Sequence, residues 1–507
     1  MFGYWRWSHR DHNVWVLMCS QLLQTTFTLP IDGPGSLDLT LFVRSQDTAV
    51  DRSWLEELRT VVAEAGWPNG IVVAMYDAER DLRHRGLWSY KPWVYLHDKA
   101  LQKERRRSAG AQRWVMFLEP STIIDPTALQ GLLAEYDARE KIYLGRKLID
   151  AEHSIIHHYN TETPYPHLHS GFVLSGSLLR SLAKGLKTNP LPNEQQIEPV
   201  WEFAKWIHSE GVTITDRSDV FCLEKQSACA SWARNLNLQN FSPAVPDDVL
   251  IAVKTVSHFH STRIPIIHES WGSSSPAKVV YLSNEGYSDS QDYEILKGSV
   301  INLSPEFGDA VDPKKESTKS GSGHCAKMKA ILQYLHKHES GKKWYVVADD
   351  DTLLNVPRLL QVLGLHDPTR EIYLGERYGW GHTEEREGTN YMTTGAGMAL
   401  SALALKRVVS CESCTCPSPS SPDDMMLGAW MFQMSIQMVH EEAFHQAEPH
   451  NYHPDVLRSA GQAISFHRYN VRVPATTPAA QVQAERKKSW RGWQRKYFHS
   501  MSPHAEL

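Results

Sequence analysis

The sequence lacks a strong charge of one sign. Its 53 Lys and Arg against 58 Asp and Glu leave a formal net charge of −5. That excludes the basic footprint of a nucleic-acid binder. It also lacks a long hydrophobic run. Val14 to Leu23, which follows Arg6 and Arg10, is too short to span a bilayer, and no later stretch reads as a transmembrane helix. The run instead fits the h-region of a secretory signal over residues 1–28, although Ser20 and Gln21 weaken it. Cysteine is scarce, with seven in 507 residues. Setting aside Cys19, which falls inside that signal, leaves Cys222, Cys229, Cys325, Cys411, Cys414 and Cys416. An even count suits an oxidising compartment. Cys411, Cys414 and Cys416 are spaced like a metal knuckle, but a structural zinc takes four Cys or His ligands and no fourth is at hand. Disulfides are therefore the expectation, and the spacing does not say which cysteine joins which.

The rest is an ordinary globular composition, 41% apolar and 22% charged, long enough for about three domains. Its most informative feature is an internal repeat. Arg113-Trp-Val-Met-Phe-Leu118 answers Lys343-Trp-Tyr-Val-Val-Ala348, and Ile142-Tyr-Leu-Gly145 answers Ile372-Tyr-Leu-Gly375. Over residues 113–146 and 343–376, nine of 34 aligned positions are identical. Further on, His169-Ser-Gly-Phe-Val-Leu-Ser175 answers Gly395-Ala-Gly-Met-Ala-Leu-Ser401. A period this long is no solenoid; it reads as two copies of one domain. Each copy opens with a buried-type strand, Leu37 to Val43 or Val249 to Thr255. A helical stretch and a second strand follow, Ile71 to Met75 or Lys278 to Leu282. Short apolar runs alternating with helices predict an α/β fold with a mostly parallel sheet covered on both faces. The copies are expected at 31–240 and 249–473. Between them lies a linker, 241–248, and after them a tail, 474–507, of doubtful order.

The copies differ at the end of one strand. The second reads Val346-Val-Ala-Asp349-Asp350-Asp351, so an apolar strand delivers three carboxylates at its C-terminal edge, where open α/β sheets bind ligands. Alternation points Asp349 and Asp351 the same way. Such a cluster repels itself unless a cation neutralises it, and carboxylate oxygens suit Mg²⁺ or Mn²⁺. The first copy has Glu119-Pro120-Ser121 there, which argues against a catalytic metal. A second acidic pair, Asp423-Asp424, opens a helix-compatible stretch. It reads either as first-turn residues or as a general base for an attacking hydroxyl. Its expected first-copy counterpart is Ser218-Asp219-Val220. His467 closes the apolar run Ile464-Ser-Phe-His467 and on its own reads as an ordinary histidine.

In this order these segments resemble the Fringe-type β-1,3-glycosyltransferases, family 31. The resemblance spans about 248–470 and includes Ile251-Ala-Val-Lys-Thr255, Phe259-His-Ser-Thr-Arg263, Cys325-Ala-Lys-Met328 and Thr394-Gly-Ala-Gly-Met398. It implies two tandem GT-A-like, Rossmann-like nucleotide-sugar domains, the first degenerate and the second catalytic. It implies a metal at Asp351, with Asp349 and His467 as further ligands. Lys254, Thr255, Asp349, Asp350, Gly395 and Gly397 would seat the nucleotide sugar, the glycines by close backbone approach. Asp424 would be the base, with Asp423 less favoured. Within the family, the tandem plan and the retrieval-like ending His504-Ala-Glu-Leu507 resemble members of the endoplasmic reticulum lumen. Those use UDP-glucose and extend O-linked fucose on thrombospondin type 1 repeat proteins. UDP-galactose or UDP-N-acetylglucosamine as donor, or a non-catalytic lectin- or chaperone-like role, are the alternatives.

Overall fold

The computed structural model describes residues 37–67, 71–74, 90, 94, 112–188, 195–234, 238, 241–286, 299–308, 324–380, 389–469, 471–474 and 476–498. The signal at 1–28, Cys19 and the ending His504–Leu507 lie outside them. Among the described residues, one compact unit holds 37–151, 160–234 and Trp380, and the other holds 152–159, 235–379 and 389–498. No described helix is long and apolar enough to cross a membrane.

The first unit is built on a six-stranded sheet. Its strands are β1 (Leu37–Val43), β2 (Ile71–Ala74), β3 (Gln112–Leu118), β4 (Tyr143–Gly145), β5 (Phe172–Ser175) and β6 (Thr215–Asp216). They lie in the order β6-β4-β5-β3-β1-β2, and only β5 runs against its neighbours. In the second unit the strands are β7 (Val249–Lys254), β8 (Lys278–Ser283), β9 (Val300–Asn302), β10 (Trp344–Asp349), β11 (Thr352–Leu354), β12 (Ile372–Gly375), β13 (Met398–Ser401), β14 (Gln437–His440) and β15 (Ser465–His467). Seven of them form a sheet in the order β9-β8-β7-β10-β13-β12-β14, and only β13 is reversed. Both sheets are therefore mixed, and the two have the same order and sense strand for strand, β9 excepted. The reversed strand escaped the sequence reading because it is buried on both faces and reads apolar like its parallel neighbours.

Alternation along β10 sends Trp344, Val346 and Ala348 into one apolar layer and Tyr345 and Val347 into another. This two-sided burial is what a continuous apolar run of five residues, Trp344 to Ala348, dictates. The helix after β11 starts at a cap that the sequence carries: Asn355, two residues before Pro357, accepts from the Arg358 amide at 3.3 Å. In the first unit Asp125 caps Pro126–Ala134 in the same way. The six cysteines pair as Cys222–Cys229, Cys325–Cys416 and Cys411–Cys414, so the knuckle spacing is spent on disulfides.

Two expected boundaries move. The linker 241–248 is held against the second unit: Ala244 donates to the Leu360 carbonyl at 2.8 Å, and Gly364 has no room for a Cβ beside Ser242. The tail expected from 474 includes the helix Ala479–Trp493, whose Trp490 is fully buried and joins the apolar core that also holds Trp271, Trp344 and Phe444. Trp490 stacks on Tyr469 at 4.7 Å and donates to the Arg468 carbonyl at 2.8 Å. The basic residues around these tryptophans hid the apolar anchor in the sequence. Trp490→Ala is expected to destabilise the protein by about 3–5 kcal/mol. Urea unfolding measures this, and a loss under about 1 kcal/mol would show that the helix only decorates the surface.

Candidate active site

The acids close β10, in the second unit. β7 lies parallel to β10 with Lys254 opposite Asp349, so an ammonium and a carboxylate leave the sheet side by side. The Lys254 Nζ is 2.9 Å from Asp349 Oδ1 and also pairs tightly with Asp423 Oδ2. Burial alone would lower the Lys254 pKa, but Asp349 and Asp423 outweigh it and raise it. Asp350 points the other way, is buried, and accepts from Thr255 Oγ1 at 2.7 Å and Arg263 Nη1 at 2.6 Å. Burial pushes its carboxyl up to about 6 against the pull of Arg263. Alternation thus divides the triplet as the sequence implies.

β11 and β15 pair antiparallel with Thr352 opposite His467. This register carries His467 across 116 positions of sequence to Asp351, with Nε2 3.1 Å from Asp351 Oδ1 and 4.0 Å from Asp349 Oδ2. The ring's other nitrogen, Nδ1, lies 3.1 Å from the Gln446 carbonyl, so it must donate. Nε2 faces two carboxylates, and although burial would lower the pKa of the imidazole, the hydrogen bond and charge of Asp351 and then the charge of Asp349 raise it, so a proton or a cation lies between these groups. Asp349, Asp351 and His467 form a set whose ligand atoms lie within 4.8 Å of one another, and an N/O set of this kind suits a divalent ion. Burial would raise the Asp351 carboxyl, but the hydrogen bond from His467 holds it down at about 2. The next residue, Arg468, has φ +70° and donates its amide to the Asp351 carbonyl at 2.8 Å. That bond fixes the turn that follows His467.

Asp423 and Asp424 begin the helix Asp423–Gln433. Their environments push them apart. Burial would raise Asp423, but Lys254 outweighs it and holds the carboxyl ionised. Asp424 is partly exposed; burial and the neighbouring Asp423 raise it to about 7. A carboxylate poised there can accept a proton near neutrality, whereas Asp423 is committed to its ammonium.

Several predicted residues have other neighbours than expected. Lys254 and Thr255 turn their polar ends to Asp349, Asp423 and Asp350 and hold the acids. A Cβ on Gly395 would come 2.5 Å from His467 Nδ1, so this glycine makes room for the imidazole. Gly397 has φ +87°, the left-handed region, so its reason is backbone conformation. Two cations escaped notice although their segments stood out. Arg263 ties Asp350 to Asp351, the latter at 2.8 Å. Lys327 is buried and donates to the Thr255 carbonyl; burial and then the charge of Lys254 push it down to about 7. The available signal was a lysine on the apolar stripe of the helix His324–His338, between Cys325, Met328 and Ile331.

Among the described residues, the first unit does not repeat the set of Asp349, Asp351 and His467. Register places Glu119 at the position of Asp349, and Glu119 is closed by Arg44 at 2.5 Å. Ser121 stands for Asp351 and bonds His169 Nδ1 at 3.1 Å. The strand Ser231–Ala233 pairs with Thr122–Ile124 as β15 pairs with β11, which puts Ala233 where His467 stands. The counterpart expected for the acidic pair is displaced. The helix between β5 and β6 that answers Asp423–Gln433 is Pro199–Ser209, whereas Asp219 follows β6 and pairs with Arg217 at 3.0 Å.

The comparisons with known proteins agree in kind. A family model described as Fringe-like matches residues 93–198 and 244–485. A Mus musculus protein named beta-1,3-glucosyltransferase is 34% identical over 368 residues, which is 70% of this chain and 69% of that protein. Its Homo sapiens namesake is 34% identical over 364 residues, covering 70% and 68%. A Drosophila melanogaster Fringe glycosyltransferase is 32% identical over 180 residues, 32% of this chain and 38% of its own.

Gly395→Ala tests the imidazole's seat. The added methyl must displace His467, so affinity for a divalent ion is expected to fall about 10–100-fold with the fold retained. Titration calorimetry with Mn²⁺ reads it; unchanged affinity would separate His467 from the cluster.

Proposed function

Because the chain belongs to the Fringe-like family and is a glycosyltransferase, we propose that its second unit moves glucose from UDP-glucose to the 3-hydroxyl of O-linked fucose on thrombospondin type 1 repeats, with inversion. One observation carries the chemistry: Asp349, Asp351 and His467 converge at one sheet edge, tied through Lys254 to the helix that opens with Asp423 and Asp424. The donor sugar is supported by the relatives named beta-1,3-glucosyltransferase, which match 70% of the chain where the Drosophila Fringe glycosyltransferase matches 32%. The O-fucose acceptor follows the sequence resemblance. The first unit, with Glu119 closed by Arg44, Ser121 in place of Asp351 and Ala233 in place of His467, reads as a degenerate copy of the GT-A-like second. Three disulfides among the described residues support residence in an oxidising compartment, and the reading places the chain in the endoplasmic reticulum lumen.

The residues divide the work of a single displacement. Asp424 accepts the proton of the attacking hydroxyl as its oxygen bonds the anomeric carbon, and the bond from that carbon to the diphosphate oxygen breaks. A Mn²⁺ or Mg²⁺ held by Asp349, Asp351 and His467 would neutralise the departing UDP. Lys254 keeps Asp423 ionised, which helps to hold Asp424 near neutrality. Arg263 and Thr255 fix Asp350 beneath the cluster.

Asp424→Asn is expected to reduce transfer by about 10²–10⁴-fold while leaving thermal unfolding unchanged. In the wild type the acting form is the carboxylate, so the rate should fall tenfold per unit as pH drops below about 7. A flat profile between pH 5 and 8 would assign the base elsewhere. UDP release from UDP-glucose, UDP-galactose and UDP-N-acetylglucosamine, with Mn²⁺ and an O-fucosylated repeat, tests the donor. UDP-glucose should lead by at least about tenfold; a lead for UDP-N-acetylglucosamine would replace it.

A further inference from the structure

Each carboxylate of the candidate cluster offers only half of itself. Asp349 turns Oδ2 towards His467 Nε2, while its Oδ1 lies 2.9 Å from Lys254 Nζ. Asp351 turns Oδ1 to the same Nε2, while its Oδ2 lies 2.8 Å from Arg263 Nη1. The two basic groups are held in place from behind. Lys254 also pairs with Asp423, and Arg263 bonds Asp350 at 2.6 Å with its guanidinium 3.7 Å from the centre of the Phe259 ring. Neither can swing aside without leaving a buried acid unpaired, which is costly.

We propose that Lys254 and Arg263 are specificity-determining residues that make this cluster select Mn²⁺-class ions over Ca²⁺. The proposal rests on the cluster being a divalent-cation site. Ca²⁺ takes 6–8 oxygen ligands and gains from carboxylates that bind through both oxygens. Here one oxygen of each carboxylate is taken by a fixed cation, so the protein supplies two single oxygens and one imidazole nitrogen. That count leaves about three positions of an octahedron for water or diphosphate oxygens, and the nitrogen favours a transition ion over a hard one. A cation has usually to be kept away from a metal site; here two of them trim the acids to the coordination that the smaller ion accepts.

The test uses the full chain without nucleotide, titrated with Mn²⁺ and Ca²⁺ by calorimetry, with Mn²⁺ also followed by electron paramagnetic resonance. The wild type should bind Mn²⁺ far more tightly than Ca²⁺. Arg263→Gln frees Asp351 Oδ2, and although loss of a positive charge raises both affinities, the Mn²⁺/Ca²⁺ preference should fall by about tenfold. Arg263→Lys, which keeps a charge beside Asp351, should stay near the wild type. Should Arg263→Gln fail to fold, Arg263→Gln with Asp350→Asn removes the buried acid it orphans and gives the same readout. Absence of Mn²⁺ binding in the wild type would strike at the cation site itself. Mn²⁺ binding with Ca²⁺ bound as tightly, or a preference unmoved by the substitution that folds, would overturn the selectivity inference alone.

Discussion

A single ammonium group organises the candidate site. Lys254 leaves the end of β7 and is claimed by two carboxylates, Asp349 from the adjacent strand and Asp423 from the helix Asp423–Gln433. Without it, two buried acids would face each other with no counter-charge, a situation that costs about 3–5 kcal/mol when one partner of a buried pair is removed. With it, strand and helix are locked at the distance of one side chain. One charge serving two acids leaves the region short of positive charge. The shortfall appears where function needs it: in the set of Asp349, Asp351 and His467, which invites a cation, and in Asp424, whose carboxyl is pushed up by burial and by the charge of Asp423 beside it.

Much of this was legible in the chain, for stated reasons. Strand β10 is an unbroken apolar run, so its position and the place of Asp349 to Asp351 followed from pattern alone. Asn355 and Asp125 announced helices by capping chemistry. His467 did not announce itself: its meaning comes from the antiparallel pairing of β11 with β15, a contact over more than a hundred residues that no local window contains. Gly395 looked like a substrate-facing glycine, because a sequence shows that a Cβ is missing but not what fills the space. Arg263 and Lys327 were overlooked for a related reason. A basic residue reads as solvent-facing until packing shows the acids it faces. The reversed strands β5 and β13 resisted detection because direction leaves no trace in composition when both faces are buried.

The two sheets share an order and a reversed strand, yet carry different edges. In one, acids and an imidazole gather; in the other, Arg44 closes on Glu119 and Ser121 on His169, so each polar group already has a partner. The first arrangement is electrostatically incomplete as it stands, and the second is self-sufficient. The contrast needs no knowledge of substrate: one strand end offers a set that suits a cation, and the other pairs its polar groups internally.

The position shared by His169 and Gly395 shows how one side chain redirects a strand end. In the second unit the absence of a side chain at Gly395 leaves the room in which the ring of His467 stands. In the first, an imidazole grows from the equivalent backbone position and reaches Ser121, the residue that stands for Asp351. The two units thus bring a histidine to the same strand end from different elements, and a glycine at this position is what leaves the approach from β15 open.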